Sequence, residues 1–230
     1  MNNKIVAEPS FRSKLSTMVK QIFAPKLNTF DSVYKYLSQK IPNHGLTSYD
    51  RLSSYYSNLY EVYSEIRPKS VLEIGTSNLM KLALGVGFGG TGLAITLEKN
   101  VEEILNKNRN QPIFNQIKAE IKDFRNLQLS KMFDVLIFEN VMDLIAGEDD
   151  FDEEGKNVIY EMLISAVKPS GILIVTSNLF SDGDIISRGF KSIQEDFKKR
   201  QDLEFMNKLS GFCMYPYQNP ESFIFRKKTN

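Results

Sequence analysis

A chain of 230 residues and 26.4 kDa is long enough to bury one sizeable core without metal or disulfide support, and too short for several domains of ordinary size. Hydrophobic residues at 42% and charged residues at 25% are those of a globular protein, which excludes a disordered, collagen-like or coiled-coil chain. With 29 basic against 28 acidic residues the formal net charge is +1, too balanced for a groove-wide basic stripe, so a small molecule or a protein is the expected partner and nucleic acid is not.

The chain opens MNNKIVAEPSFRSK, without an apolar stretch of signal-peptide type. No run approaches the roughly 18 apolar residues of a membrane span, so no leader and no membrane segment are expected and the cytoplasm is the default location. From residue 10 to 67 the pattern is helical, broken at Ala24-Pro25 and again at Ile41-Pro42-Asn43-His44-Gly45, which predicts three helices. The last, Ser48 to Ile66, repeats Tyr49, Leu52, Tyr56, Leu59, Tyr60 and Tyr63 at helical spacing. Such an aromatic face packs on a sheet or over a ligand, with core packing the expected use. Burial within the monomer and burial across the two-fold axis of a homodimer are equally compatible with it. Residues 1–67 therefore read as an N-terminal helical extension or cap, and 68–230 as the main domain.

After Arg67-Pro68-Lys69 the grammar changes to short apolar runs separated by helical stretches, the alternation of a parallel sheet covered by helices. Strands are predicted at Ser70 to Ile74, Leu93 to Leu97, Gln116 to Ile121, Phe133 to Phe138 and Ile172 to Thr176, with helices near Leu79 to Val86, Val101 to Asn108 and Lys156 to Val167. Two further apolar runs, Phe205 to Tyr215 and Ser222 to Arg226, flank the turn formers Pro216-Tyr217-Gln218-Asn219-Pro220 and predict an antiparallel hairpin on the sheet edge. The acidic run Glu148, Asp149, Asp150, Asp152, Glu153 and Glu154 follows the fourth strand, on the edge where open α/β sheets bind ligands, and is a candidate lid as well as an ordinary solvated loop.

The segment richest in chemistry is Val71-Leu72-Glu73-Ile74-Gly75-Thr76-Ser77-Asn78: an apolar strand that ends in an acid, then a glycine turn before a helix. Backbone amides at such a turn hold a carboxylate, and glycine lets a ligand approach the chain closely. The next strand ends Ile95-Thr96-Leu97-Glu98, and a carboxylate there accepts both hydroxyls of a ribose, so the two segments together read as a nucleoside site. A second glycine cluster, Gly85-Val86-Gly87-Phe88-Gly89-Gly90-Thr91-Gly92, has the look of a dinucleotide finger but precedes a strand where a finger must follow one; a helix end and loop is expected. One cysteine, Cys213, makes no internal disulfide, and one histidine, His44, excludes a His-rich metal site.

Taken together these residues resemble the class I S-adenosylmethionine-dependent methyltransferases, and among them the catechol and caffeoyl-CoA type of O-methyltransferase. The resemblance runs from Tyr56 to Lys228: Val71 to Ser77 is similar to that family's first motif, Ile95 to Glu98 to its ribose acid, Phe133 to Glu139 to its fourth strand ending in an acid, and Val167 to Val175 with Ser177 to Gly183 to its fifth strand and following loop. It implies a Rossmann-like α/β fold, a mostly parallel sheet with a C-terminal antiparallel hairpin, and S-adenosyl-L-methionine held by Glu73, Gly75, Thr76, Ser77, Glu98, Glu120 and Glu139. Relatives continue the first motif with a glycine and a small residue where this chain has Leu79 and Lys81, so Lys81 is a candidate partner for the cofactor's carboxylate. The cation-dependent type holds a divalent metal on positions that here are Glu139, Ser177 and Asn178, and carries its base where this chain has Met142. With Glu139 and Asn178 the remaining ligands, a Mg2+ site is possible in chemistry but not expected.

The leading expectation is methyl transfer to a small-molecule acceptor at oxygen, a reaction that depends chiefly on alignment of the acceptor behind the methyl carbon. Glu139 and His44 are the candidate acceptors of the hydroxyl proton, and Tyr55 and Tyr56 are pocket-lining or core residues. Two readings compete: a non-catalytic binding or assembly module that keeps the fold, and a nicotinamide-dependent enzyme whose phosphate loop would be Gly85 to Gly92.

Overall fold

Strands buried on both faces need apolar side chains at nearly every position, and the first and fourth strands supply them. In the computed structural model, which describes residues 29–41, 49–76, 79–124, 127, 129–139, 153–179, 194–210 and 219–229, Val71, Leu72 and Ile74 of β1 (Ser70–Ile74) and Val135 to Phe138 of β4 (Phe133–Glu139) have no accessible surface. Ahead of them lie α1 (Phe30–Lys40) and α2 (Tyr49–Ile66); between them come α3 (Met80–Val86), β2 (Thr91–Thr96), α4 (Asn100–Asn108), a 3-10 turn (Phe114–Gln116) and β3 (Ile117–Ile121). After β4 follow α5 (Glu153–Ser165), β5 (Val167–Leu179), a short helix at 194–199, β6 (Leu203–Ser210) and β7 (Asn219–Lys227).

The seven strands form one sheet in the order β3-β2-β1-β4-β5-β7-β6. The first five in that order are parallel, β7 is antiparallel to β5, and β6 is antiparallel to β7 on the edge. Alternation along each strand splits the core in two. Val71, Val135, Ile137, Ile172 and Ile174 face α1, α2 and α3, where Leu37, Tyr56, Leu59 and Tyr63 meet them. Leu72, Ile74, Leu136, Phe138 and Leu173 face α5 and the helix at 194–199, where Tyr160 stacks on Phe197 at 4.6 Å. The aromatic face of α2 is thus core, as its spacing predicts, and α1 and α2 share one core with the sheet. A capping box starts α1: Thr29 Oγ1 accepts from the Ser32 amide, and the Ser32 hydroxyl receives the Thr29 amide.

Elements fall where the sequence predicts them, with instructive exceptions at their ends. β2 begins earlier than the apolar run, at Thr91, because the Thr91 amide bonds Lys69 O at 3.0 Å and the glycines before and within it let the strand enter tightly. A Cβ on Gly90 would sit 2.5 Å from Pro68 O, and one on Gly92 2.8 Å from Val86. β5 reaches back to Val167 through an irregularity opposite Phe133 and Val135, with Ser170 at φ 61°. The Gly85 to Gly92 cluster closes α3 and opens no helix, so the phosphate-loop reading fails on geometry. The first of the three expected N-terminal helices lies outside the described residues. Among the described residues no helix is long and apolar enough to cross a membrane.

Candidate functional site

In an open α/β sheet the ligand crevice lies beyond the carboxyl ends of the strands, where the strand order reverses; here that point is between β1 and β4. Buried polar side chains collect in the same place. Of Glu73, Thr76, Lys81, Thr96, Asn108, Glu139, Thr176 and Ser222, all but Asn108 stand at the carboxyl end of the sheet or directly over it. They form a row: Glu139 pairs in register with Thr176, and Thr176 with Ser222. Thr176 Oγ1 and Ser222 Oγ are 2.7 Å apart, and the Tyr55 hydroxyl reaches down from α2 to within 2.5 Å of Ser222 Oγ. A polar strip in an otherwise apolar interior survives only when its members satisfy one another.

At the centre of the strip are three ionisable groups. Lys81 projects from α3 and donates to Glu139 Oε1 at 2.5 Å, with both side chains about 5% exposed or less. Burial, the largest single influence, would lower the Lys81 pKa, but Glu139, with smaller contributions from Tyr55, Tyr56 and Glu73, outweighs it and holds the ammonium well above its usual value. Glu73, on the same face of β1, is fully buried, and neither of its oxygens nor Glu139 Oε2 meets a donor group. Burial first, and the neighbouring Glu139 carboxylate second, push the Glu73 pKa well up, while Lys81 pulls more weakly the other way. A proton on Glu73 resolves both facts: it removes the like-charge repulsion and supplies the missing donor between the two carboxyl groups. The cluster is then neutral as a whole, one ammonium against one carboxylate.

Beside it the chain builds the turn that leaves β1. Gly75 adopts φ 86°, open to glycine and strained for other residues, and its amide bonds Ile95 O at 2.8 Å. Thr76 Oγ1 accepts from the Leu79 amide at 3.0 Å, which turns the chain into α3 with Leu79 at φ 64°. Thr96 ties this turn to the end of β2: its hydroxyl donates to Thr76 O at 2.7 Å and accepts from the Glu98 amide at 3.0 Å. Glu98 itself is exposed just past the strand, with its backbone fixed and its carboxylate directed by no protein partner among those described.

The structure brings Glu73, Gly75, Thr76 and Glu139 together and sets Glu98 at the neighbouring strand end. Glu120 is elsewhere. It pairs in register with Ile95, on the α5 face of the sheet, and makes an exposed ion pair with Lys122 at 2.7 Å, so it stands across the sheet from Glu73 and Glu139. Lys81 also departs from expectation, since it engages Glu139 and not an open pocket. Tyr55 and Tyr56 are core residues, 1% and 2% exposed. Asn178 lies in β5 opposite Pro220, its side chain outside the described set. His44, Ser77, Met142, Cys213 and the acidic run through Asp152 lie outside the described residues altogether. Thr96 was not singled out by sequence reasoning; the available signal was a hydroxyl side chain at the inward-facing end position of an apolar strand.

No family model matches the chain, and no curated protein matches it by sequence. Solved structures do match. The O-methyltransferase TomG from Streptomyces achromogenes, involved in tomaymycin synthesis and solved in complex with SAM, aligns with a TM-score of 0.59 and 10% identity over 94% of this chain and 96% of its own. An O-methyltransferase from Bacillus cereus in complex with SAH gives 0.54 and 13% over 93% and 97%. The N-methyltransferase NodS from Bradyrhizobium japonicum, in complex with S-adenosyl-L-homocysteine, gives 0.56 and 12% over 86% and 99%. At these identities the shared property is the fold: a Rossmann-like, mostly parallel sheet closed by an antiparallel C-terminal hairpin.

Proposed function

We propose that this protein is an S-adenosylmethionine-dependent methyltransferase that acts on a hydroxyl group of a small molecule. The observation that carries the reading is the turn at Gly75, placed at the point of strand reversal, with Glu98 held at the next strand end by the same threonine that anchors the turn. The cofactor supplies an electrophilic methyl group on a sulfonium. Gly75, with no side chain and φ 86°, leaves the backbone open to close approach, and Glu98 presents a carboxylate for the two hydroxyls of a ribose. Glu139 stands beside the crevice, paired with Lys81. With Oε1 engaged by Lys81, rate enhancement in this reading rests on alignment of the acceptor, worth effective molarities on the order of 10⁵–10⁸ M. His44 is the remaining base candidate, and the helices before residue 68 serve in this reading as the cap that selects the acceptor. The choice of oxygen follows from the resemblance between Tyr56 and Lys228; the structural relatives include both O- and N-methyltransferases.

The test is calorimetric titration with S-adenosylmethionine and S-adenosylhomocysteine, with NADH as control. Micromolar binding of either sulfur nucleoside, weakened by about 1.5–3 kcal/mol in Glu98→Ala through loss of charge-assisted bonds, is the expected result. Absence of binding refutes the cofactor assignment, and binding that Glu98→Ala leaves unchanged refutes the ribose assignment. A panel of phenols and amines then decides the acceptor atom by methylated product.

A further inference from the structure

The cation-dependent type of the family holds a divalent cation on the positions that here are Glu139, Ser177 and Asn178, a site not expected from the sequence, and the donor set does not fit one. Glu139 Oε1 is bound to Lys81 at 2.5 Å, and both partners are buried, so any ion on this carboxylate would sit beside an ammonium. Among the described residues no group of three His, Cys, Asp or Glu side chains is disposed to hold a metal. A second positive charge within reach of an ammonium already at contact distance is repelled, and hard cations need several oxygen ligands that no competing cation occupies.

We propose that Lys81 is the built-in cation of this site: its ammonium takes the place of the divalent ion, fixes Glu139 and makes the protein blind to Mg2+. Three features of the chain fit the assignment. Lys81 reaches Glu139 from α3, whose start is tied to the Gly75 turn by the hydrogen bond from the Leu79 amide to Thr76 Oγ1. Its ammonium also lies 6.0 Å from the centre of the Tyr55 ring, whose face favours a cation. And Thr176, the register neighbour of Glu139, has its hydroxyl 2.7 Å from Ser222 Oγ, while the cation in contact with the carboxylate is the Lys81 ammonium. Lys81 is a positioning residue in this scheme. It acts on the site through Glu139.

The experiment follows Mn2+ by the loss of its free electron paramagnetic resonance signal, with Mg2+ as competitor. The wild-type protein, stripped with chelator, is expected to bind no Mn2+ in a saturable manner. Lys81→Met removes the ammonium and keeps most of the volume, exposing Glu139 and Glu73 to an incoming cation. It is expected to bind Mn2+ in a saturable manner where the wild type does not, and the gain should vanish in Lys81→Met/Glu139→Gln. If Lys81→Met is unstable, Mn2+ should raise its melting temperature and leave that of the double variant unchanged. Lys81→Arg, which keeps the charge, should remain blind to Mn2+. Saturable Mn2+ binding by the wild type that Glu139→Gln abolishes overturns the proposal, as does a Lys81→Met protein that gains neither affinity nor thermal stability from Mn2+. The readout needs no sulfur nucleoside, so failure of the methyltransferase reading and failure of the internal cation are separately visible.

Discussion

Replacement of Glu73 by glutamine should make the protein more stable at neutral pH, and increasingly so as the pH rises. In the folded chain Glu73 shares a buried cluster with one ammonium and one carboxylate, so its ionisation would leave an uncompensated negative charge in the core. Unfolded, a glutamate loses its proton near pH 4.3; folded, this one keeps it to a much higher pH. Between those two values the folded state binds one more proton than the unfolded state. Stability therefore falls as pH rises, by about a factor of ten in the unfolding equilibrium per pH unit. Glutamine keeps the shape and offers Glu139 an amide donor, but has nothing to titrate. The gap between variant and wild type should open from about pH 4.3 upward at that tenfold rate and flatten once Glu73 ionises in the fold. Urea denaturation of both proteins, in half-unit steps from about pH 5 to about pH 8, measures it, and titrating groups remote from Glu73 cancel in the difference. Parallel stability curves, or a variant weaker than wild type at neutral pH, would refute the neutral-acid assignment.

Leu79 is fully buried yet sits at φ 64°, so Leu79→Ala and Leu79→Gly should both lose about 2–5 kcal/mol of packing. Glycine should nevertheless be the more stable of the two by about 1 kcal/mol, because it alone relieves the left-handed backbone; thermal melts that rank alanine first would contradict this. Asp134 accepts from the Lys69 and Ser70 amides, the Ser70 hydroxyl and Lys168, which together hold its pKa below the usual carboxylate value against the effect of burial. Asp134→Ala should cost about 1–3 kcal/mol at neutral pH. Its contribution is present above the unfolded pKa of about 3.9 and lost as the pH falls through the lower folded value, so a penalty that persists undiminished under strong acid would count against it. Thr96→Val removes the tie between the Gly75 turn and Glu98, and should weaken binding of S-adenosylhomocysteine by about 1–3 kcal/mol while Thr96→Ser keeps it; equal affinities in the two variants would sink that role.

The path of the chain was legible where one local signal sufficed. Val71 to Ile74 and Phe133 to Phe138 read as strands because both faces are covered, and the Gly85 to Gly92 cluster read correctly because its place after a helix is a matter of order alone. The site was legible residue by residue but not in its pairings. Lys81 and Glu139 meet because α3 packs over β1 and β2 while the Lys81 side chain reaches the end of β4, and Glu73 lies on their face through strand alternation combined with a parallel register; no periodicity within one segment carries that information. Glu120 illustrates the reverse: its strand-end position resembles that of Glu98, but side-chain parity sends it to the opposite face, and parity depends on where β3 enters the sheet. The start of β2 at Thr91 escaped because glycine carries no hydrophobic signal even where close packing demands it.

The position of β7 between β5 and β6 bears on how the protein is made. β5 has β4 beside it as soon as it is synthesised, but its other edge waits for a strand that comes last in the sheet's sequence order, with Phe223, Ile224 and Phe225 all destined for the interior. At about 5–20 residues per second of synthesis, the nascent sheet carries an open, apolar β5 edge for several seconds before its own chain can close it. Unpaired strand edges of this kind recruit strands from other chains. The yield of folded protein should therefore depend on translation speed and chaperone supply between β5 and β7, and a premature stop in that interval leaves a sticky half-sheet with no way to heal.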